Sequence, residues 1–188
     1  MLEPNFIPFP ELTTARLLLR KIIHQDAPEI LFLRSDKNIL EFLGKEPAKT
    51  IREAEDFIKS INDSIDAGNV IMWAIALKDD PGQLIGTICL WEIRKEHYRA
   101  EAGFVLHPEF WRKGFMKEAL RRIIEFGFST LQLHSIEARI SPGNMASAAI
   151  LESTGFVREA YFKEDFFFRG KFLDTAVYSL LNNSTANN

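Results

Sequence analysis

An α/β or α+β domain, with a mixed central sheet and helices on both of its faces, is the fold class this sequence predicts. Two observations lead there. Strand-like runs rich in β-branched and leucine residues alternate with segments whose apolar residues recur at helical spacing. No Pro/Gly/Ser-rich linker interrupts the 188 residues, which at 46% hydrophobic and 26% charged suffice for one sizeable core. The expected organisation is an N-terminal extension over residues 1–11, a single domain over 12–181 and a frayed tail over 182–188, where Asn182 to Asn188 are small and polar.

Arg16 to Ile23 reads as the opening strand. His24-Gln25-Asp26 then offers a cap for a helix over Ala27 to Arg34, and a second helical region covers roughly Lys37 to Phe42. Thr50 with Glu53 forms a capping box for a helix ending near Ala67. From there the period changes. Asn69 to Leu77 and Leu84 to Ile93 are strands joined by Asp79-Asp80-Pro81-Gly82, a hairpin signal, and a further strand covers about Arg99 to Leu106. Past Gly114, Met116, Ala119, Leu120, Ile123, Ile124, Gly127 and Phe128 recur at helical spacing, with Lys117, Glu118, Arg121, Arg122 and Glu125 on the other side. His134 to Ile140 is a strand and Asn144 to Thr154 a helix, closed by Gly155 as a left-handed cap with Phe156 as its hydrophobic contact. Two more strands follow, roughly Phe156 to Phe162 and Lys171 to Leu181, which makes about seven in all.

Composition excludes several classes of function. The single cysteine, Cys89, lies inside an apolar run; it rules out an intramolecular disulfide, offers no metal cluster and suits a reducing cytoplasm, so no metal is expected. A formal net charge of −3, with Lys and Arg scattered along the chain, argues against nucleic acid as a partner. No apolar stretch approaches a membrane span, and Met1 to Glu11 lacks the regions of a signal peptide, so no membrane partner is expected.

The stretch Glu101 to Met116 carries the chemistry. It runs from a buried strand through the basic glycine loop Trp111-Arg112-Lys113-Gly114-Phe115-Met116 into a helix. Unpaired N–H groups at that helix N-terminus, the helix dipole, Arg112 and Lys113 together suit a pyrophosphate, and Gly114 lets it approach the backbone. Neither a G-x-x-x-x-G-K-[ST] loop nor a G-x-G-x-x-G turn is present, so taken alone the loop also reads as a solvated connection. Further on, Asn144-Met145-Ala146-Ser147 opens a helix. Asn144 is a good N-cap with an amide to offer a ligand, Ser147 has a hydroxyl one turn along, and both also read as plain helix caps.

Together these regions resemble motifs A and B of the GNAT superfamily of acyl-CoA-dependent N-acetyltransferases. Thr13/Thr14-Ala15-Arg16-Leu17-Leu18-Leu19-Arg20 followed by Asp26 resembles the opening of the RimJ/RimL ribosomal-protein N-acetyltransferase branch, and Gly170-Lys171-Phe172-Leu173-Asp174 with Tyr178-Ser179-Leu180-Leu181 its closing strand. The resemblance spans about Leu12 to Leu181. It departs from the family loop in Trp111 and Met116 at the first and last places and in Arg112 for a common glycine; Ser153 replaces a common lysine.

The resemblance implies a mostly antiparallel sheet splayed at its centre, with acetyl-CoA as cosubstrate lying in the splay and a primary amine, small or at a protein N-terminus, attacking the thioester directly. Main-chain groups of Phe104, Val105 and Leu106 would bind the pantetheine arm and polarise the carbonyl, and Trp111 to Met116 the pyrophosphate, with Asn144 and Ser147 nearby. Glu101 matches the family's base position, with Glu92 as second choice; Ser147, Tyr161 or Tyr178 would protonate the departing thiolate. Cys89 reads as a buried core thiol and His107 as a loop residue. Phe166-Phe167-Phe168, near Tyr161, Phe162 and Phe172, would line an acceptor pocket, a homodimer surface or the core. A CoA-binding sensor without turnover is the alternative that the same loop permits.

Overall fold

The computed structural model describes residues 1–182. Its strands are β1 (Leu12–Thr13), β2 (Leu17–Arg20), β3 (Ile71–Leu77), β4 (Gly86–Arg94), β5 (Arg99–Leu106), β6 (Ser135–Ile140), β7 (Val157–Phe168) and β8 (Lys171–Leu181). The helices are α1 (Ala27–Leu33), α2 (Lys37–Leu40), α3 (Ile51–Asp66), α4 (Phe115–Ser129) and α5 (Met145–Ser153). The strands form one sheet in the order β1-β2-β3-β4-β5-β6-β8-β7, antiparallel throughout except between β5 and β6. The eighth strand beyond the expected seven is the two-residue β1, too short to carry a period of its own.

Local chemistry explains the boundaries. Thr50 Oγ1 accepts from the Glu53 N–H at 3.3 Å, while the Glu53 carboxylate reaches back to the Lys49 N–H at 3.0 Å, so α3 opens on a capping box displaced by one residue. After α5, the Phe156 N–H bonds to Leu151 O and the Gly155 N–H to Glu152 O, with Gly155 at φ +98°; this Schellman closure turns the chain into β7. Arg20 grips Asp26 through two bonds of 2.7 and 2.8 Å and also donates to the carbonyls of Pro81 and Gly82. Asp26 in turn accepts from the Ile23 N–H, so this buried pair ties β2, α1 and the β3–β4 turn together.

α1 and α3 cover one face of the sheet, burying Ile30, Leu33, Ala54 and Ile58 against Ile22, Ala74 and Leu84. α4 covers the other with Met116, Ala119, Leu120 and Ile123, against Trp73, Ile88, Leu90 and Ala102. Each such fully buried Leu or Ile contributes about 1.5–3 kcal/mol. The N-terminal segment packs down as well: Leu2 and Phe6 belong to the core, and the Trp73 indole donates to Pro10 O at 2.8 Å.

Two expectations change here. β7 runs on to Phe168, because Phe166, Phe167 and Phe168 pair with Leu173, Phe172 and Lys171 in a two-stranded arm that outreaches β6. Asn182, expected at the start of a frayed tail, is buried and bonded to His134 O and Leu133 O. Residues 183–188 of that tail lie outside the described residues.

Candidate functional site

β5 and β6 are paired only at Arg99–Ser135, Ala100–Ile136 and Glu101–Glu137, although both strands continue. From Ala102 onward they separate, and the β6 side of β5 is open. His107 N–H bonds to Ile85 O, and the Val105 carbonyl faces β4 so closely that a Cβ on Gly86 would lie 2.5 Å from it. Main-chain direction alternates along a strand, so Phe104 and Leu106 turn their N–H and C=O groups into the opening while those of Val105 are spent on β4. The Leu106 carbonyl is taken as well, by the Trp111 indole N–H at 2.7 Å. Of the three residues named from the sequence, Val105 is thus corrected: its main chain cannot serve a ligand in the opening. Phe104 and the Leu106 N–H can.

Glu101 stands at the last paired register before the strands part, on the α1–α3 side of the sheet with Gly103 and Val105. It is buried, and its carboxylate makes no hydrogen bond or ion pair with another described residue. Burial, reinforced by the charges of Glu137 and Glu92 and opposed by Arg139 and Arg94, pushes its carboxyl up to about 7. A carboxyl that titrates near neutrality and lacks a partner can take and return a proton at physiological pH. Glu92, by contrast, is exposed at φ +47° in the irregular stretch of β4 between Trp91 and Arg94.

On β6 beside Glu101 the charges are paired off. Arg99 binds Glu137 at 2.6 and 3.1 Å and Ser179 Oγ at 3.2 Å, and Arg139 lies 3.9 Å from Glu137 and 3.0 Å from Asp165. Cys89, opposite Gly103 in β4, is buried, which pushes its thiol up to about 12; it donates to Gly103 O and is no nucleophile. The arm closes over this side. Arg169 bonds Glu46 at 2.9 and 2.6 Å, and Phe166 sits so tightly on Gly44 that a Cβ there would clash with its ring. Phe167 and Phe172 point away from the core, at 60% and 62% exposure, which removes the core reading for them.

At the other end of β5 the loop forms a frame. His107 stacks on Phe32 at 4.3 Å and its Nδ1 accepts from the Glu109 N–H, which keeps it in a loop role. Arg112 adopts φ +61° and Gly114 φ +80°; the left-handed turn is kept although arginine replaces the expected glycine at 112. Arg16, just before β2, donates to Lys113 O at 3.0 Å and Glu118 Oε2 at 2.7 Å and lies over the Phe115 ring at 4.3 Å. Thr14 also bonds Glu118. The sequence shows Arg16 within an opening strand and its family motif, but no local pattern links it to Glu118, its partner in this latch, 102 residues away.

The N–H groups from Arg112 to Lys117 donate to no other described residue. Gly114 is exposed, and an added Cβ would meet only the tip of Arg16, at 3.5 Å. A run of free donors on a fixed frame, at the N-terminus of the 15-residue α4, fits the diphosphate of CoA. Beside it lies a groove of about 390 Å³ whose lining is of mixed charge, with Arg16, Lys117, Arg121 and Arg122 against Glu118 and Glu125. Met116 is buried in the core and Trp111 is turned onto β5, so neither side chain faces the loop's open side.

Asn144 caps α5, its Oδ1 accepting from the Ser147 N–H at 3.0 Å, and the Ser147 hydroxyl is half-buried with no partner among the described residues. Both tyrosine hydroxyls are engaged: Tyr178 with Glu152 at 3.4 Å and Tyr161 with Asp174. Burial raises Tyr178 and the bond to Asp174 raises Tyr161, which leaves Ser147 as the less committed proton donor. Among the described residues no cluster of three or more His, Cys, Asp or Glu could hold a metal ion, and no helix is long and apolar enough to cross a membrane.

Residues 16–157 match the family model described as an acetyltransferase (GNAT) domain. The chain is 35% identical over 173 residues to YoaA of Bacillus subtilis, named as an uncharacterized N-acetyltransferase, covering 92% of this chain and 97% of that protein. It is 29% identical over 174 residues to the spermidine N(1)-acetyltransferase of Vibrio cholerae, covering 92% and 97%. Among solved structures it superposes on the spermidine N-acetyltransferase of Vibrio cholerae in complex with CoA and spermine, with a TM-score of 0.80, 27% identity and coverage of 93% and 100%. A GNAT-family acetyltransferase from Bacillus anthracis gives a TM-score of 0.80 at 25% identity, covering 92% and 98%.

Proposed function

This chain belongs to the GNAT acetyltransferase family, and from that premise we propose that it acetylates a primary amine directly, with Glu101 as the group that removes the amine's proton. It is an N-acetyltransferase, and acetyl-CoA is the donor its family uses. The observation that carries the proposal is the unpartnered, buried carboxyl of Glu101 at the point where β5 and β6 part.

Acetyl-CoA, when bound, supplies a thioester carbonyl as electrophile and a thiolate as leaving group. The N–H groups from Arg112 to Lys117 would hold its diphosphate, and the free main-chain groups of Phe104 and Leu106 its pantetheine arm and carbonyl oxygen. Glu101, ionised for part of the time near neutrality, takes a proton from the acceptor ammonium, which makes the nitrogen nucleophilic. As the amide forms and the C–S bond breaks, the Ser147 hydroxyl would give its proton to the departing sulfur and take up the second proton lost by the nitrogen, directly or through water.

Two acceptor classes fit a primary amine. A small polyamine is supported by the relatives named as spermidine acetyltransferases, which the chain matches nearly end to end. A protein N-terminus, as in the RimJ/RimL branch, is supported by the Arg16 to Arg20 and Asp26 motif. Thiol release measured with spermidine, spermine and peptides bearing N-terminal Ser or Ala separates them. Turnover with the polyamines alone selects the first class, with the peptides alone the second. Release no faster than without acceptor in every case would overturn amine acetylation of either class. We also propose the single acetyltransferase domain to extend over 12–181.

A further inference from the structure

Three carboxylates and two guanidiniums meet where the sheet divides, yet they are not shared evenly. Glu101 and Glu137 occupy the same register of β5 and β6 and the same face, where neighbouring strands bring side chains to about 5 Å. Glu137 takes both nearby cations, Arg99 at 2.6 Å and Arg139 at 3.9 Å, and Asp165 of the arm takes the other side of Arg139 at 3.0 Å. Arg99 is two residues before Glu101 on the same face, and Arg139 shares that face on β6. Arg99 could turn to Glu101 if Glu137 released it, while Arg139 would keep its bond to Asp165. Neither pairs with it as the site stands.

We propose that Glu137 is a positioning residue: by holding Arg99, and together with Asp165 keeping Arg139 on its own side, it keeps both guanidiniums off Glu101, so that the carboxylate next to the acceptor opening stays unpaired. This goes beyond the assignment of Glu101 and rests on it for its catalytic consequence. Two effects of Glu137 act in the same direction, since its own charge repels a charge on Glu101 while its ion pairs withhold the compensating cations. The remaining charged and titratable groups near Glu101 are Glu92 and Arg94 on β4, and beside it lies the Cys89 thiol, which Lys45 of the 41–48 segment approaches. These stay the same when Glu137 is changed.

The test uses two substitutions that must act with opposite sign. In the free protein labelled with ¹³C at Glu side-chain carboxyls, the Glu101 resonance is identified by its loss in Glu101→Gln and titrated. Glu137→Gln is expected to lower the Glu101 midpoint by about one pH unit, because the repulsion goes and Arg99 becomes available. Arg139→Gln is expected to raise it, and Glu137→Asp to stay nearer wild type than Glu137→Gln. The acid limb of kcat/KM against pH is expected to move with the NMR midpoint in each variant.

An unmoved midpoint in folded Glu137→Gln, or a shift of the same sign in both variants, overturns the proposal. If Glu137→Gln does not fold, a midpoint in Arg139→Gln that fails to rise overturns it. Midpoints that shift as expected while the rate profiles stay fixed support the control of Glu101 by Glu137 and overturn Glu101 as the base. The two readings therefore fail separately.

Discussion

The loop from Trp111 to Met116 and the carboxyl of Glu101 lie at opposite ends of β5 and are built on opposite terms. In the loop three neighbouring side chains fix the frame: Trp111 is tied to Leu106 O, Arg16 to Lys113 O and Glu118, and His107 to the Glu109 N–H. What remains over is a row of main-chain donors. At Glu101 the partners are withheld instead, and a buried carboxyl is left with no bond to satisfy it. An anion site thus arises from surplus donors on a rigid frame, and a base from a carboxylate deprived of donors.

The largest effect that tests this contrast is on rate. Glu101→Gln is expected to lower kcat/KM by roughly 10²–10⁴-fold near pH 7, the usual worth of general-base assistance. An α-amino group titrates near about 8 and a lysine-type amine near about 10.4, so the defect should be larger for the second and should shrink as pH rises. Profiles from about pH 6.5 to 9.5 with both amine types check it; wild-type-like curves would pass the role to Glu92 or to water.

At the other end of the strand, Gly114→Asp is expected to weaken CoA binding by about tenfold or more, because it sets a carboxylate beside a diphosphate. Gly114 is exposed and Asp tolerates a left-handed turn better than most residues, so the melting temperature should barely change. Calorimetric titration with CoA reads the first and a thermal melt the second. Unchanged affinity would move the cradle elsewhere.

Stability gives the next measure. The Glu101 carboxyl is raised to about 7 in the folded protein, so the folded state holds its proton more tightly than the unfolded one. The stability linked to that proton is fully present below about pH 4.5 and is lost as pH rises to about 7. Glu101→Gln, which has no proton to lose, should therefore gain roughly 1–3 kcal/mol relative to wild type between about pH 4 and pH 8, read by urea unfolding at both. A constant difference between the two proteins across that window would mean that Glu101 is solvated normally.

Smaller effects concern the frame and the acid. Partial burial pushes Glu118 up, but bonds from Thr14 and Arg16 hold its carboxyl below the usual range, so the latch should persist into mild acid. Arg16→Ala is expected to weaken CoA binding several-fold, about 1 kcal/mol, with kcat little changed. Ser147→Ala should cost less than Glu101→Gln, since a thiol with a pKa of about 8.5 leaves tolerably without a proton. A larger loss in Ser147→Ala under the same conditions would reverse the ranking.

The elements that could be read along the chain were those whose information is local. Thr50 and Glu53, Gly155 and Phe156, and the apolar spacing after Gly114 each specify a cap or a period within a few residues. The donor row of the loop was legible for the same reason, being one contiguous stretch. The free groups of β5 were legible only in part. Which carbonyl points into the opening depends on the register with β4 and on the Trp111 indole, and this separates Val105 from Phe104.

By itself the sequence determined the elements, the family pattern and the presence of a carboxyl at the head of β5, because caps, periods and motifs act over a few residues. Tertiary structure alone decided that Arg20 closes on Asp26, that Arg16 fastens the loop, and that Glu101 stands without a partner while Glu137 holds two. Glu137 and Arg139 in Ser135–Ile140 show in the sequence only as charges alternating along a strand. Their effect depends on distances of a few ångströms between strands that are remote along the chain, since the balance of desolvation and Coulomb energy at a buried carboxyl is set by three-dimensional proximity.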